Sequence, residues 1–178
     1  MRMAYSLWLL PAKDDAVWMA ALQHRLRSFL GGPGFAPHLT LWGQVPALSP
    51  ATLDTLARIS RHILPLALPL SGKGQGDLFF RAVVLEVDPI PPLLALRESV
   101  AQELRVEDPR PYAPHFSLAY GHYTTAQRLQ ALDQIGPLPE TCTVDRLSIL
   151  RTGEAGKILL PDAWEEIRTW PLGPPPRD

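Results

Sequence analysis

A seven-residue phrase that occurs twice constrains this chain more than any other feature. Phe35, Ala36, Pro37, His38, Leu39, Thr40 and Leu41 form the first copy, and Tyr112, Ala113, Pro114, His115, Phe116, Ser117 and Leu118 form the second. Aromatic, alanine, proline, histidine, apolar, hydroxyl, leucine is an internal repeat, and its histidines lie nearly half the chain apart. Each phrase is expected to open a strand, because proline is tolerated where no ladder donor is lost and the residues after it favour extended backbone. Alternation along a strand then puts His38 with Thr40 on one face and Leu39 with Leu41 on the other. The second copy repeats this, with His115 and Ser117 opposite Phe116 and Leu118.

Two such strands facing one cleft supply two imidazoles and two hydroxyls, with no carboxylate in the motif. Histidine titrates near neutrality, so one ring can accept a proton while its partner donates one. A base and an acid on opposite sides of phosphorus suit in-line displacement at a phosphodiester. The hydroxyls can donate to the non-bridging oxygens, where negative charge lies in the transition state. Catalytic zinc usually needs three protein ligands, and the motif offers two histidines with hydroxyls. No metal or other cofactor is expected.

Composition narrows the partners. A net charge of -1 and a pI near 6.5 argue against a broad basic surface for tracking long nucleic acid. A small phosphorylated ligand fits better. The single cysteine, Cys142, has no intramolecular partner and reads as a buried strand residue in a reducing compartment. The apolar run at residues 4–10 is short and runs into Pro11, Lys13, Asp14 and Asp15, unlike an export signal. The expectation is a cytoplasmic protein, monomeric and away from membranes.

In chain order, residues 5–10 read as a central strand. Asp14 and Asp15 then open a helix with Val17, Ala20, Ala21, Leu22, Leu26 and Phe29 at helical spacing, stopped by Gly31 and Gly32. Ser49 and Pro50 start a second helix, carrying Leu53, Leu56, Ile59 and Ile63. Residues 66–71 and 78–87 read as a hairpin turning through Gly72, Gly74, Gly76 and Asp77. The Gly72 and Gly74 spacing lacks the helix start and Lys-Ser/Thr signature of a phosphate loop. A third helix runs from Pro91 to Leu104, Thr124 caps a fourth reaching Ile135, and residues 142–151 and 165–171 close the fold around a turn at 153–156. This order predicts an α+β protein of two lobes, each an antiparallel sheet with helices outside and a groove between them. Residues 1–172 are expected to form this single domain, followed by a disordered proline-rich tail at 173–178.

Paired His-apolar-Thr/Ser-apolar motifs, one per half, resemble the two-histidine (2H) phosphoesterase superfamily over nearly the whole chain. The chain is most similar to the cyclic phosphodiesterase branch at Tyr5-Ser6-Leu7-Trp8, at Pro37-His38-Leu39-Thr40, at the paired phenylalanines Phe79 and Phe80, and at the second repeat with Tyr120. The resemblance implies a metal-independent hydrolase opening nucleoside 2′,3′-cyclic phosphates or ADP-ribose 1″,2″-cyclic phosphate to monoesters. It assigns His38 and His115 as the acid/base pair and Thr40 and Ser117 as phosphate clamps, with Trp8, Phe80 and Tyr120 lining the pocket. Tyr120 conflicts with strict alternation from His115 and needs a bulge or strand end to turn it inward.

Other readings stay open at this stage. Trp8 and Phe80 suit core packing as well as base stacking. His24 and His62 fall on helices, where solvated roles are favoured, and His122 follows the second repeat strand. Processing of RNA ends or 2′-5′ ligation is the enzymatic alternative, and a groove that binds nucleotides without chemistry is the non-enzymatic one.

Overall fold

Strand pairing in the computed structural model closes on itself. The described residues are 3–45, 47–108, 110–154 and 157–174. They form β1 (Met3–Pro11), α1 (Lys13–Leu30), β2 (Leu39–Val45), α2 (Pro50–His62), β3 (Leu66–Gln75), β4 (Val83–Val87), α3 (Pro91–Leu104), β5 (His115–Ala119), α4 (Thr125–Asp133), β6 (Thr141–Glu154), β7 (Lys157–Ile158) and β8 (Glu165–Pro171), with 3-10 turns at Phe79–Arg81 and Pro161–Ala163. Antiparallel ladders run β1-β2-β5-β4-β3-β6, and β6 returns to β1; β7 and β8 add along β6. The fold is α+β.

The two halves exchange their helices. The order β1-α1-β2-α2 recurs as β4-α3-β5-α4. α1 packs on β5 and α4, whereas α3 packs on β2 and α2. Each half's crossover helix therefore covers the repeat strand of the other half. The two strand sets also share β6, whose first residues pair with β3 and whose remainder pairs with β1.

Alternation explains the core. Leu7 and Leu9 of β1, Leu39 and Leu41 of β2, and Phe116 and Leu118 of β5 are fully buried in one continuous cluster. Each such side chain contributes about 1.5–3 kcal/mol by leaving water. Their neighbours one residue along face the groove. Cys142 is buried in β6, and burial pushes its thiol up to about 12.

Several boundaries differ from those expected. The glycines at 72 and 74 lie inside β3, because the ladder continues through Gly72–Glu86 and Gly74–Val84 and the Glu86 side chain occupies the space a Cβ at Gly74 would need. The chain reverses instead through 76–82, so Phe79 and Phe80 sit in a 3-10 turn and not in a strand. On α1 the inward stripe is Met19, Leu22, Gln23 and Leu26, whereas Val17 is 64% and Phe29 43% exposed. That face is chosen by packing on β5 and α4. The fourth helix ends at Asp133, and β6 runs on to Glu154, past the expected Arg151. Of the expected tail, Gly173 donates its N–H to the Ser60 carbonyl at 2.9 Å, and residues 175–178 lie outside the described residues. Ala155 and Gly156 of the expected turn lie outside them too.

One buried cation anchors the 76–82 reversal. Arg128 of α4, itself buried, donates to the Gln75 side chain, the Tyr123 carbonyl and the Asp77 carboxylate. α4 starts on a capping box formed by Thr124 and Gln127, which places Arg128 one turn in. Arg128→Met is expected to cost roughly 2 kcal/mol in urea unfolding, since it leaves the Tyr123 carbonyl and the Gln75 side chain without their donor, whereas the exposed Asp77 carboxylate returns to water. A loss under about 0.5 kcal/mol would show that the reversal holds without it.

Candidate active site

The two histidines are held by the same local device. In both repeats proline keeps the preceding chain extended, and the imidazole folds back onto the carbonyl two residues upstream. His38 Nδ1 lies 2.8 Å from the Ala36 oxygen, and His115 Nδ1 lies 2.9 Å from the Ala113 oxygen. A carbonyl only accepts, so Nδ1 carries the proton and each neutral ring keeps its lone pair on Nε2. Leu39 opposite Phe116 joins β2 to β5, and the motif side chains gather along this seam. His38, Thr40, His115 and Ser117 line one groove of about 970 Å³ together with Trp8, Phe80 and Tyr120.

The environments of the two rings differ. His38 is 4% exposed, and Trp8 stacks on it at 3.6 Å between centroids with planes 9° apart. Trp8 is opposite Thr40 in the β1–β2 ladder, which brings it beside the motif. Trp164 and Phe35 meet the same imidazole edge-on. Burial dominates and lowers His38 to about 4, opposed by the Ala36 hydrogen bond and assisted by the nearby His115. His115 is also lowered by burial; the Ala113 bond and Glu86 oppose the shift, and Arg81 adds to it. Burial thus favours the neutral form of both rings at pH 7.

Tyr120 reaches the groove because β5 stops at Ala119, so the alternation that would have buried it ends one residue earlier. Its hydroxyl stands 3.4 Å from His38 Nε2, and its ring stacks on Phe35 at 3.7 Å. Burial raises its phenol well above the ordinary range, with a Ser117 hydrogen bond opposing, so it remains a proton donor. Gly121, next in the chain, adopts φ 154° and donates to the Phe79 carbonyl at 3.0 Å; a Cβ there would run into the Tyr123 ring.

Ser117 is tied at two atoms. Its hydroxyl donates to the Phe80 carbonyl at 3.1 Å, and its own carbonyl accepts from Gln23 of α1 at 3.0 Å. Because the β2–β5 seam is short, that carbonyl takes its partner from a side chain. The leading aromatics of the two phrases part company: Phe35 stacks on Tyr120 and meets His38 edge-on, whereas Tyr112 donates to the Thr40 carbonyl at 3.1 Å and sandwiches Arg97 with Trp42.

Sequence reasoning gave no site role to Trp164, Phe79 or Arg81, all on the groove wall. Trp164 follows the Pro161–Ala163 turn and meets Trp8 edge-on at 5.1 Å. An isolated tryptophan between short elements carries no periodicity to flag it. His122 touches Phe79 at its outer side and does not line the groove; His24 and His62 are exposed on their helices. Among the described residues, no three His, Cys, Asp or Glu side chains converge on a common point. No helix among them is long and apolar enough to cross a membrane.

Comparison with known proteins agrees with this architecture. Residues 11–156 match the family described as the 2′-5′ RNA ligase superfamily. A cyclic phosphodiesterase of Arabidopsis thaliana is 23% identical over 175 residues, covering 96% of each chain. A 2′,3′-cyclic-nucleotide 3′-phosphodiesterase of Yarrowia lipolytica is 29% identical over 102 residues, covering 53% of this chain and 47% of that protein. Among solved structures, E. coli LigT in apo form superposes with a TM-score of 0.60 at 17% identity, covering 97% of this chain and 98% of LigT. LigT complexed with 3′-AMP gives a TM-score of 0.59 at 15% identity, covering 97% and 99%.

The low His38 value has a consequence for stability. Unfolded histidine titrates near 6.5, so below that pH the unfolded chain binds a proton the folded site resists. Stability is therefore whole above about 6.5 and falls by roughly 3 kcal/mol on acidification to about 4. His38→Gln should flatten the urea-unfolding free energy across that window. An unchanged slope would mean the ring is not held neutral.

Proposed function

The chain belongs to the 2′-5′ RNA ligase superfamily, and from there we propose that it is a metal-independent phosphodiesterase that opens small cyclic phosphates to phosphomonoesters. The substrates in this reading are nucleoside 2′,3′-cyclic phosphates, ADP-ribose 1″,2″-cyclic phosphate, or both. The observation that carries it is the matched presentation of two imidazoles. Each has its Nδ1 proton committed to a carbonyl, which leaves the lone pair on Nε2, and each has a hydroxyl two residues along at one groove; at His38 that Nε2 is met by the Tyr120 hydroxyl at 3.4 Å. The names of the Arabidopsis and Yarrowia relatives support the same chemistry.

His38 and His115 act as the acid/base pair. The Nε2 of the neutral ring takes a proton from water as its oxygen attacks phosphorus. The opposite ring, protonated, gives its Nε2 proton to the ring-ester oxygen as the P–O bond to the sugar breaks. The product is a phosphomonoester and the protonation states of the two rings are exchanged. Thr40 donates to a non-bridging oxygen, Ser117 does the same once its one O–H turns from the Phe80 carbonyl to the phosphate, and the Tyr120 hydroxyl adds a donor beside His38. Substrate supplies the charge needed, because a phosphate beside the rings favours an imidazolium that burial alone disfavours. Trp8 holds the His38 ring plane through its stacked face, and Phe80 and Trp164 offer ring surface for a nucleobase. The groove volume lies within the range of small-ligand sites. A monomer acting in the cytoplasm completes the reading.

Phosphorus NMR of the protein with 2′,3′-cyclic nucleotides in EDTA is expected to show conversion to monoesters. His38→Ala and His115→Ala should each lose about 10²–10⁴-fold in kcat. Full activity in either variant would remove the mechanism; binding without conversion would point to a nucleotide-binding module, and preference for oligonucleotide ends to RNA processing.

Proton uptake offers a separate check. Calorimetric binding of a phosphate monoester near pH 6, run in buffers of different ionisation enthalpy, is expected to show net uptake of a proton that His38→Gln reduces.

A further inference from the structure

Among the described residues three cationic side chains line the groove, and they are not equivalent. They are Arg81, Arg110 and Lys157. Arg110 is committed to Asp108 through its Nε and Nη2 at 2.9 and 3.0 Å, out at the exposed rim. Lys157 stands exposed on β7. Arg81 is half-buried, and among the described residues its guanidinium makes no hydrogen bond or ion pair. Its backbone is firmly placed. It ends the 3-10 turn in which the Phe80 carbonyl accepts from Ser117, the Phe79 carbonyl accepts from Gly121, and Arg81's own N–H donates to Leu78 at 2.9 Å. Arg128 fastens the same reversal from below. A partly desolvated guanidinium beside His115, on a clamped turn and free of partners, is a site for an oxyanion.

We propose that Arg81 is a phosphate-binding residue of this groove, contacting the non-bridging oxygens from the His115 side. This rests on the reading that the groove takes phosphate. A guanidinium fork matches two phosphate oxygens at once, which the single hydroxyls of Thr40 and Ser117 do not. The substrate diester carries one negative charge, whereas a phosphomonoester approaches two at neutral pH. Arg81 therefore holds the product more tightly than the substrate. The enzyme is subject to inhibition by its own monoester product and by inorganic phosphate.

The test titrates inorganic phosphate into wild type, Arg81→Gln and Arg81→Lys by calorimetry, and follows the histidine Cε1 protons by NMR. Arg81→Gln is expected to weaken phosphate binding about 10- to 100-fold, with partial recovery in Arg81→Lys. Product inhibition should weaken in parallel. In phosphate-free buffer the His115 midpoint should rise in Arg81→Gln, since the remaining charged neighbour is Glu86; His38, which feels His115 and not Arg81, should stay in place. A phosphate affinity within twofold of wild type in folded Arg81→Gln would overturn the assignment, as would wild-type protein that binds no phosphate. If cyclic phosphates are hydrolysed while Arg81→Gln binds phosphate normally, Arg81 loses its role and the two-histidine reading stands. If phosphate binds through Arg81 without hydrolysis of any cyclic phosphate, the assignment holds and the hydrolase reading falls.

Discussion

One antiparallel pair, Leu39 opposite Phe116, fixes the geometry of the groove. It joins the two repeats at the residues that follow their histidines, with Leu39 and Phe116 both buried in the core. Because strand register has a period of two, a slip of either strand by one residue at this seam would turn that strand's imidazole into the core and its apolar side chains into the groove. The ladder at the seam is short, so much of its rigidity comes from side chains around it. Gln23 takes the Ser117 carbonyl, Tyr112 donates to the Thr40 carbonyl, and Arg97 lies between Trp42 and Tyr112. These contacts come from helices and loops that the halves exchange, which makes the groove a property of the whole ring.

The repeat is symmetric in its chemistry and asymmetric in its surroundings. Each imidazole uses the carbonyl two residues upstream to fix its tautomer, yet His38 is enclosed by aromatic rings and His115 feels an anion, Glu86, and a cation, Arg81. Equal rings in equal settings would share one affinity for protons. Unequal settings let a single charge, brought by the ligand, act on two rings that respond differently.

Much of this was legible in the sequence where a residue's neighbours in the chain decide its role. The repeat pointed to His38, Thr40, His115 and Ser117, and local capping residues marked α2 and α4 at Ser49 and Thr124. What could not be read depended on residues distant in sequence. The glycines of β3 look like a turn until Glu86 is laid over them from β4. Phe79 and Phe80 look like strand residues until Arg128 draws the reversal toward α4. Trp164 belongs to no periodic pattern, and its place beside Trp8 follows from β8 pairing with β6 next to β1. Val17 and Phe29 satisfied helical spacing, but the partner of α1 chose the adjacent stripe.

The return of β6 to β1 sets the order in which the molecule can be made. β1 is made before β2 and pairs with it, yet its other edge is paired by β6, which is made long afterwards. Until β6 arrives, the nascent protein carries an apolar strand with an open row of donors and acceptors, the kind of edge that recruits other chains. Contacts this distant in sequence also slow the final closure. Production of this protein is consequently most exposed to loss during synthesis, before β6 is added, and slower translation prolongs that interval.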